Sequence, residues 1–116
     1  MDGQGAMATI TIDETARFVC VLSFDLSSGN LSTLTREVRR AAEQQAPKKQ
    51  GFIGCIVMAN EEKPQLLVVS VWDSGHAWSA AQYHQEIGRV VSDVVEAAKS
   101  YEIQTYETVS LVRPAG

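Results

Sequence analysis

Apolar residues crowd into runs early in this chain and become periodic late. Phe18-Val19-Cys20-Val21-Leu22-Ser23-Phe24 is nearly all apolar. The run predicts a strand over 16–26, buried on both faces. Ser27-Ser28-Gly29-Asn30 reads as a loop. Leu31, Leu34, Val38 and Ala41 then fall at helical spacing, predicting a helix over 31–45 with Asn30 or Ser32 as its N-cap and Pro47 as its stop. Two further apolar runs, 52–58 and 66–72, flank the polar turn Asn60–Pro64 and read as a hairpin with a loop longer than two residues. A short helix is expected after Asp73 or Ser74, either of which can cap it. Next, Ile87, Val90, Val91, Val94, Val95 and Ala98 form one apolar stripe, with Glu86, Arg89, Asp93, Glu96 and Lys99 on the other side. So many β-branched residues weaken an isolated helix, so tertiary packing must hold it. A last strand is expected from Tyr101 to Val112.

The order strand–helix–strand therefore occurs twice. That is the split βαβ or ferredoxin-like arrangement, an α+β fold with a four-stranded antiparallel sheet and helices on one face. The expected organisation is a flexible tail over 1–15, in which Met7 offers a second start, followed by a single domain over 16–116. The first and third strands are apolar on both faces, although helices cover only one. Val19, Val21, Val57, Leu67, Val69 and Val71 are expected on the uncovered face. A bare apolar face of that size calls for a partner, and the simplest is a second copy, sheet against sheet, with twofold symmetry.

Length and charge narrow the classes. The 116 residues suffice for one domain and leave no room for a second. Net charge is −4, with no basic cluster beyond Arg39-Arg40 and Lys48-Lys49, which argues against a nucleic-acid partner. No apolar run approaches the roughly 18 residues of a membrane span. No basic and apolar leader is visible at the start, so a cytoplasmic location is expected. Cys20 and Cys55 each sit in an apolar strand and read as buried free thiols, with no partner ligands at metal-binding spacing. Ser23, Ser70 and Cys20 lie in no nucleophile elbow. Gly51-Phe52-Ile53-Gly54 enters a strand, not a helix, so it is no phosphate loop.

Those same glycines carry a resemblance. Gly51-Phe52-Ile53-Gly54 opening the second strand, Val71-Trp72-Asp73-Ser74 closing the third, Trp78 six residues on, and the first strand together resemble the antibiotic-biosynthesis-monooxygenase family. The resemblance runs from about Ala16 to Val112. It implies a dimeric α/β barrel with a pocket between sheet and helices in each subunit. Its best-known members oxidise electron-rich aromatics such as anthrones with O2 alone, using no flavin, haem or metal. Others degrade haem, and some isomerise or bind small carbonyl compounds. The family's strand-end Trp is carried over as Trp72 and its next aromatic as Trp78. Val68 stands where quinone-forming members carry Asn, and Met58 where they carry His. Leu22 stands where haem degraders carry Asn. The haem degraders' iron-ligating His lies in the long helix, but no His occurs between Glu86 and Lys99, and His84 lies just before that stretch.

Strand alternation places Val68, Ser70 and Trp72 on one face, as it does Leu22 with Phe24 and Ile56 with Met58. If Trp72 faces the helices, all of these line one mostly apolar cavity. Trp72 and Trp78 are then candidates to stack a planar substrate, or else core and rim aromatics of the fold. His76 falls in the first turn of the short helix, where the dipole favours neutral imidazole, and is a candidate base or simply an exposed helix-start residue. His84 and Tyr83, at the break between the two later helices, either reach the pocket mouth or lie on the surface. The expected function is cofactor-independent oxidation of a small aromatic or quinol-type compound with O2, with Trp72, Trp78, His76 and His84 in catalytic roles. Leu22, Phe24, Met58, Val68, Ser70 and Tyr83 are expected to bind substrate. The alternative is a small-molecule-binding barrel that has lost the chemistry, which the apolar Val68 and Met58 favour.

Overall fold

The computed structural model describes residues 18–110 together with Val112, Pro114 and Ala115. The expected tail over 1–15 and the first two residues of the expected first strand lie outside the described residues. Strands β1 (Phe18–Asp25), β2 (Phe52–Asn60), β3 (Gln65–Trp72) and β4 (Ser100–Glu107) form one antiparallel sheet in the order β2-β3-β1-β4. Helices α1 (Ser28–Gln44), α2 (Gly75–Gln82) and α3 (Gln85–Ala97) complete the ferredoxin-like α+β fold expected from the pattern. No helix among the described residues is long and apolar enough to cross a membrane.

Several boundaries differ from expectation for local reasons. The first helix begins a turn early, with Ser27 in extended backbone as its N-cap position, because Asn30 and Leu31 already bond back to the Ser27 carbonyl. It ends at Gln44, and Pro47 lies in a single 3-10 turn, Ala46–Lys48. Of the two candidate caps for α2, Ser74 serves: its hydroxyl accepts from the Ala77 N–H at 3.1 Å. The last strand ends at Glu107, opposite Phe18 of β1, short of the expected Val112. The hairpin turn is an Asx turn, in which the Asn60 side-chain oxygen accepts from the N–H groups of Glu62 and Lys63 at 3.1 and 3.2 Å.

β1 and β3 pair without interruption from Phe18 against Trp72 to Asp25 against Gln65. β2 pairs differently. Phe52 lies opposite Trp72, but Gly54 lies opposite Val71, so Ile53 is an extra residue. This bulge reverses the facing of every later residue in β2. Val57, expected on the outer face, pairs with Val68 and packs against the core. Ile56 and Met58, expected in the cavity, turn outward and are 45% and 43% exposed. The outer face therefore carries Val19, Val21, Leu67, Val69 and Val71 of the expected set, with Ile56 and Met58 in place of Val57.

Between sheet and helices the core is Phe24, Leu26, Leu31, Leu66, Val90 and Val94. Val90 and Val94 come from the predicted stripe, while Arg89 pairs with Asp93 on the solvent side at 3.2 Å. Asp25 ties the strand ends at one edge of this core. Its carboxylate accepts from Ser100 Oγ at 2.7 Å and from Gln65 Nε2 at 3.4 Å. At the opposite end, Gly51 takes φ +84° and its carbonyl accepts from the Asp73 N–H at 2.8 Å, which joins the entry of β2 to the exit of β3.

Two glycines should respond oppositely to alanine. At Gly51 a Cβ would lie 2.5 Å from Ala77 Cβ and 2.6 Å from Asp73 Oδ1, in left-handed backbone. Gly51→Ala should destabilise by about 2–4 kcal/mol. At Gly29, inside α1, nothing lies within 4 Å. Gly29→Ala should stabilise by about 0.4–1 kcal/mol. Urea unfolding of both variants checks the pair.

Candidate functional site

The two faces of β3 meet different surroundings, and its helix-facing residues build the site. Leu66, Val68, Ser70 and Trp72 alternate onto that face, opposite Phe24, Leu22, Cys20 and Phe18 of β1. Phe52 and Cys55 reach it from β2 because of the bulge. α1 and α3 roof it with Val38, Ala41, Val91 and Val94, among others. The result is a cavity of about 80 Å³, partly open to solvent, whose polar lining side chains are Ser70, Gln82 and the two cysteines.

Six of the ten expected site residues line this cavity: Leu22, Phe24, Val68, Ser70, Trp72 and Trp78. Trp72 is 3% exposed and meets Phe52 edge-on, with ring centres 5.3 Å apart. Trp78, carried in by α2, leans on Phe18 at 5.5 Å. The Trp72 N–H is already used within the protein: Nε1 donates to Ser70 Oγ at 3.0 Å. Trp72 therefore offers a ligand its ring surface.

The other four expected residues lie elsewhere. Met58 points to the outer face for the reason given above. His76 is exposed in the first turn of α2. It sits two residues before Trp78, about 200° away around the helix, so the turn that brings Trp78 inward takes His76 out. His84 caps α3, its Nδ1 accepting from the Ile87 N–H at 3.4 Å, and does not line the cavity. Tyr83 ends α2 and is 87% exposed. Among the described residues, no three His, Cys, Asp or Glu side chains converge as a metal site.

Cys20, Cys55, Phe52 and Gln82 are among the lining residues absent from the expected site. Cys20 was legible by strand alternation from Leu22 and Phe24. Cys55 was not, although Gly54 inside an apolar run is a signal for a bulge. The two thiols flank Ser70 on either side, one on each neighbouring strand. Their Cα atoms are thus two strand spacings apart, roughly 10 Å, beyond the roughly 7 Å limit of a disulfide. Burial pushes the Cys20 thiol up, partly offset by the nearby Trp78 side chain. Burial, then the neighbouring Cys20, pushes Cys55 up to about 11. Both thiols are therefore protonated near neutral pH and poor nucleophiles.

Comparison with known proteins agrees at the level of fold. No family model matches the chain, and no curated protein matches it. Solved structures do. A Deinococcus radiodurans protein, provisionally named an antibiotic biosynthesis monooxygenase, superposes with a TM-score of 0.74 at 15% identity, over 86% of this chain and 100% of that one. A Nitrosomonas europaea protein of unknown function superposes with a TM-score of 0.73 at 13% identity, over 90% and 100%. A structure named antibiotic biosynthesis monooxygenase superposes with a TM-score of 0.68 at 6% identity, over 83% and 100%. The chain has the fold of the antibiotic-biosynthesis-monooxygenase structures, and at these identities the likeness speaks to fold alone.

The thiols yield a pH prediction. In a Cys20→Ala variant, alkylation of Cys55 by iodoacetamide should rise about tenfold per pH unit. It should level off above the ordinary value of 9.0 seen in urea and below the about 11 of the wild type, because the contribution of Cys20 is gone while burial remains. A raised acid pKa means the folded state holds a proton that the unfolded state has released. Stability is therefore retained below pH 9.0 and falls between 9.0 and about 11. A folded-state alkylation profile that levels near 9 contradicts the burial.

Proposed function

We propose that the protein is an oxidoreductase of the antibiotic-biosynthesis-monooxygenase type, oxidising a small electron-rich phenol or quinol-type compound with O2 in this cavity. The observation that carries the reading is an apolar cavity between sheet and helices, walled by Trp72 and Trp78, in that fold. A dry, aromatic-walled site suits a planar ring and keeps reactive oxygen species away from water. The substrate loses its O–H proton and passes an electron to O2. The phenoxyl and superoxide radicals join at the para carbon. Loss of the C–H proton and cleavage of the O–O bond then leave a quinone and one water, so one phenol and one O2 are consumed. Neither His76 nor His84 lines the cavity, and its thiols are protonated, so the proton passes to water.

Size narrows the substrate. A cavity of roughly 150 Å³ takes benzene, and this one is about 80 Å³. A single ring would therefore project through the opening, and three fused rings would lie largely outside it. One-ring phenols and quinols are therefore favoured over anthrones.

The proposed assembly is a homodimer through the outer sheet face. Val19, Val21, Leu67 and Val69 form its centre, exposed Ile56, Met58 and Tyr106 extend it, and Val71, only 4% exposed in the subunit, lies at its margin. A twofold pairing buries one apolar face with an identical one, and no other element among the described residues is available to cover it.

A second reading has one specific observation behind it. Among the described residues, the only ionisable groups lining the cavity are two protonated thiols, so the site binds without an internal base. A small-molecule-binding barrel without turnover needs no more.

Two measurements test these proposals. Oxygen uptake by the purified protein should exceed the spontaneous rate with one-ring phenols or quinols more than with naphthols or anthrones. Trp72→Phe should lower it by roughly tenfold or more while the fold persists. Uptake no faster than the spontaneous rate across the panel transfers the proposal to the binding reading. Sedimentation at micromolar concentration should give a dimer that Val69→Glu dissociates. A wild-type monomer there overturns the assembly.

A further inference from the structure

Ser70 occupies the centre of the sheet row beneath the cavity, between Cys20 on β1 and Cys55 on β2. Its hydroxyl meets Trp72 Nε1 at 3.0 Å. An indole N–H can only donate, so Ser70 Oγ is the acceptor in that bond. The hydroxyl proton is then left to be given elsewhere. Among the described residues Ser70 makes no other side-chain hydrogen bond. The carbonyls around it are committed to β-ladders on both sides, since β3 is paired on both edges. The flanking thiols are weak acceptors.

From this we infer that Ser70 is the polar anchor of the cavity: steered by Trp72, it donates its O–H to a single oxygen on an uncharged one-ring ligand, a phenol or a cyclic ketone. Three observations fix the ligand class. The walls are apolar and aromatic, which selects a ring. The hydroxyl is the strong donor at the floor, because Trp72 has committed its N–H to it and thiols donate weakly, while the Gln82 amide gives an N–H to the Trp78 carbonyl at 3.4 Å. No cation lines the cavity, so a carboxylate would enter without compensation for its lost hydration. Accepting from the indole also polarises the Ser70 O–H, strengthening the bond it donates. If oxidation follows binding, the charge that develops on the ligand oxygen is met by this same proton.

The inference rests on the cavity being a ligand site and is independent of turnover. Its test is a pair of ligands on a pair of proteins. Isothermal titration calorimetry compares phenol and benzene for wild type and Ser70→Ala, with benzoate as the charged control. Ser70→Ala should lower the phenol-to-benzene affinity ratio by roughly 5- to 100-fold, the cost of leaving a buried hydroxyl without its partner. Benzoate should bind neither protein. A purely structural role for Ser70 would weaken both ligands equally. Should Ser70→Ala fail to fold, Ser70→Cys carries the same comparison, because a thiol of similar volume donates only weakly. An unchanged ratio overturns the anchor while leaving the cavity a ligand site. Absence of binding by both phenol and benzene in wild type overturns the ligand-site reading and the anchor with it.

Discussion

The in-register pairing of β3 with β1, from Phe18 against Trp72 to Asp25 against Gln65, decides which side chains face the helices. Side chains alternate strictly along a strand, so one register places Leu66, Val68, Ser70 and Trp72 inside and Leu67, Val69 and Val71 outside. Core, cavity and outer face all follow from it. The bulge at Ile53 then acts as a local exception on one neighbour. It exchanges Ile56 and Met58 for Cys55 and Val57, and so turns a cavity expected to be thioether-lined into one edged by thiols. Gly51, in left-handed backbone just before the bulge, turns the chain sharply enough to enter the strand there.

The cavity is electrostatically quiet. The Trp72 donor is satisfied internally, the thiols are held protonated by burial, and the two histidines lie away from it. Such a site contributes shape, dryness and one oriented hydroxyl. Chemistry there depends on what the ligand brings, which is the physical sense in which an O2-dependent oxidation and plain binding are neighbouring functions for the same walls.

The opposite face of the sheet obeys the same parity with the opposite outcome. Its valines and leucine are as apolar as the core, yet no helix covers them. On edge strand β4, Tyr106, Gln104 and Glu102 share this outer face and are exposed. A helix-covered face and an uncovered apolar face on one thin sheet fit a subunit that completes its burial in an assembly.

Much of this was legible in the amino-acid order. The apolar run over β1, the clean stripe on α3, the Asn60–Pro64 turn and the Ser74 cap are local signals, and local signals survive without knowledge of the partners. They determined the element order, the ferredoxin-like fold and, by alternation along β3 and β1, the placement of Val68, Ser70, Trp72, Leu22 and Phe24. Tertiary structure alone decided the rest. Whether Met58 or Cys55 faces inward depends on one extra residue in a pairing between strands. Whether His76 or Trp78 faces inward depends on how α2 is rotated against the sheet. Alternation and helical periodicity fix only relative facing within an element. The absolute facing is set by contacts between elements, where a single slipped residue or a rotation of half a turn reverses every side chain that follows.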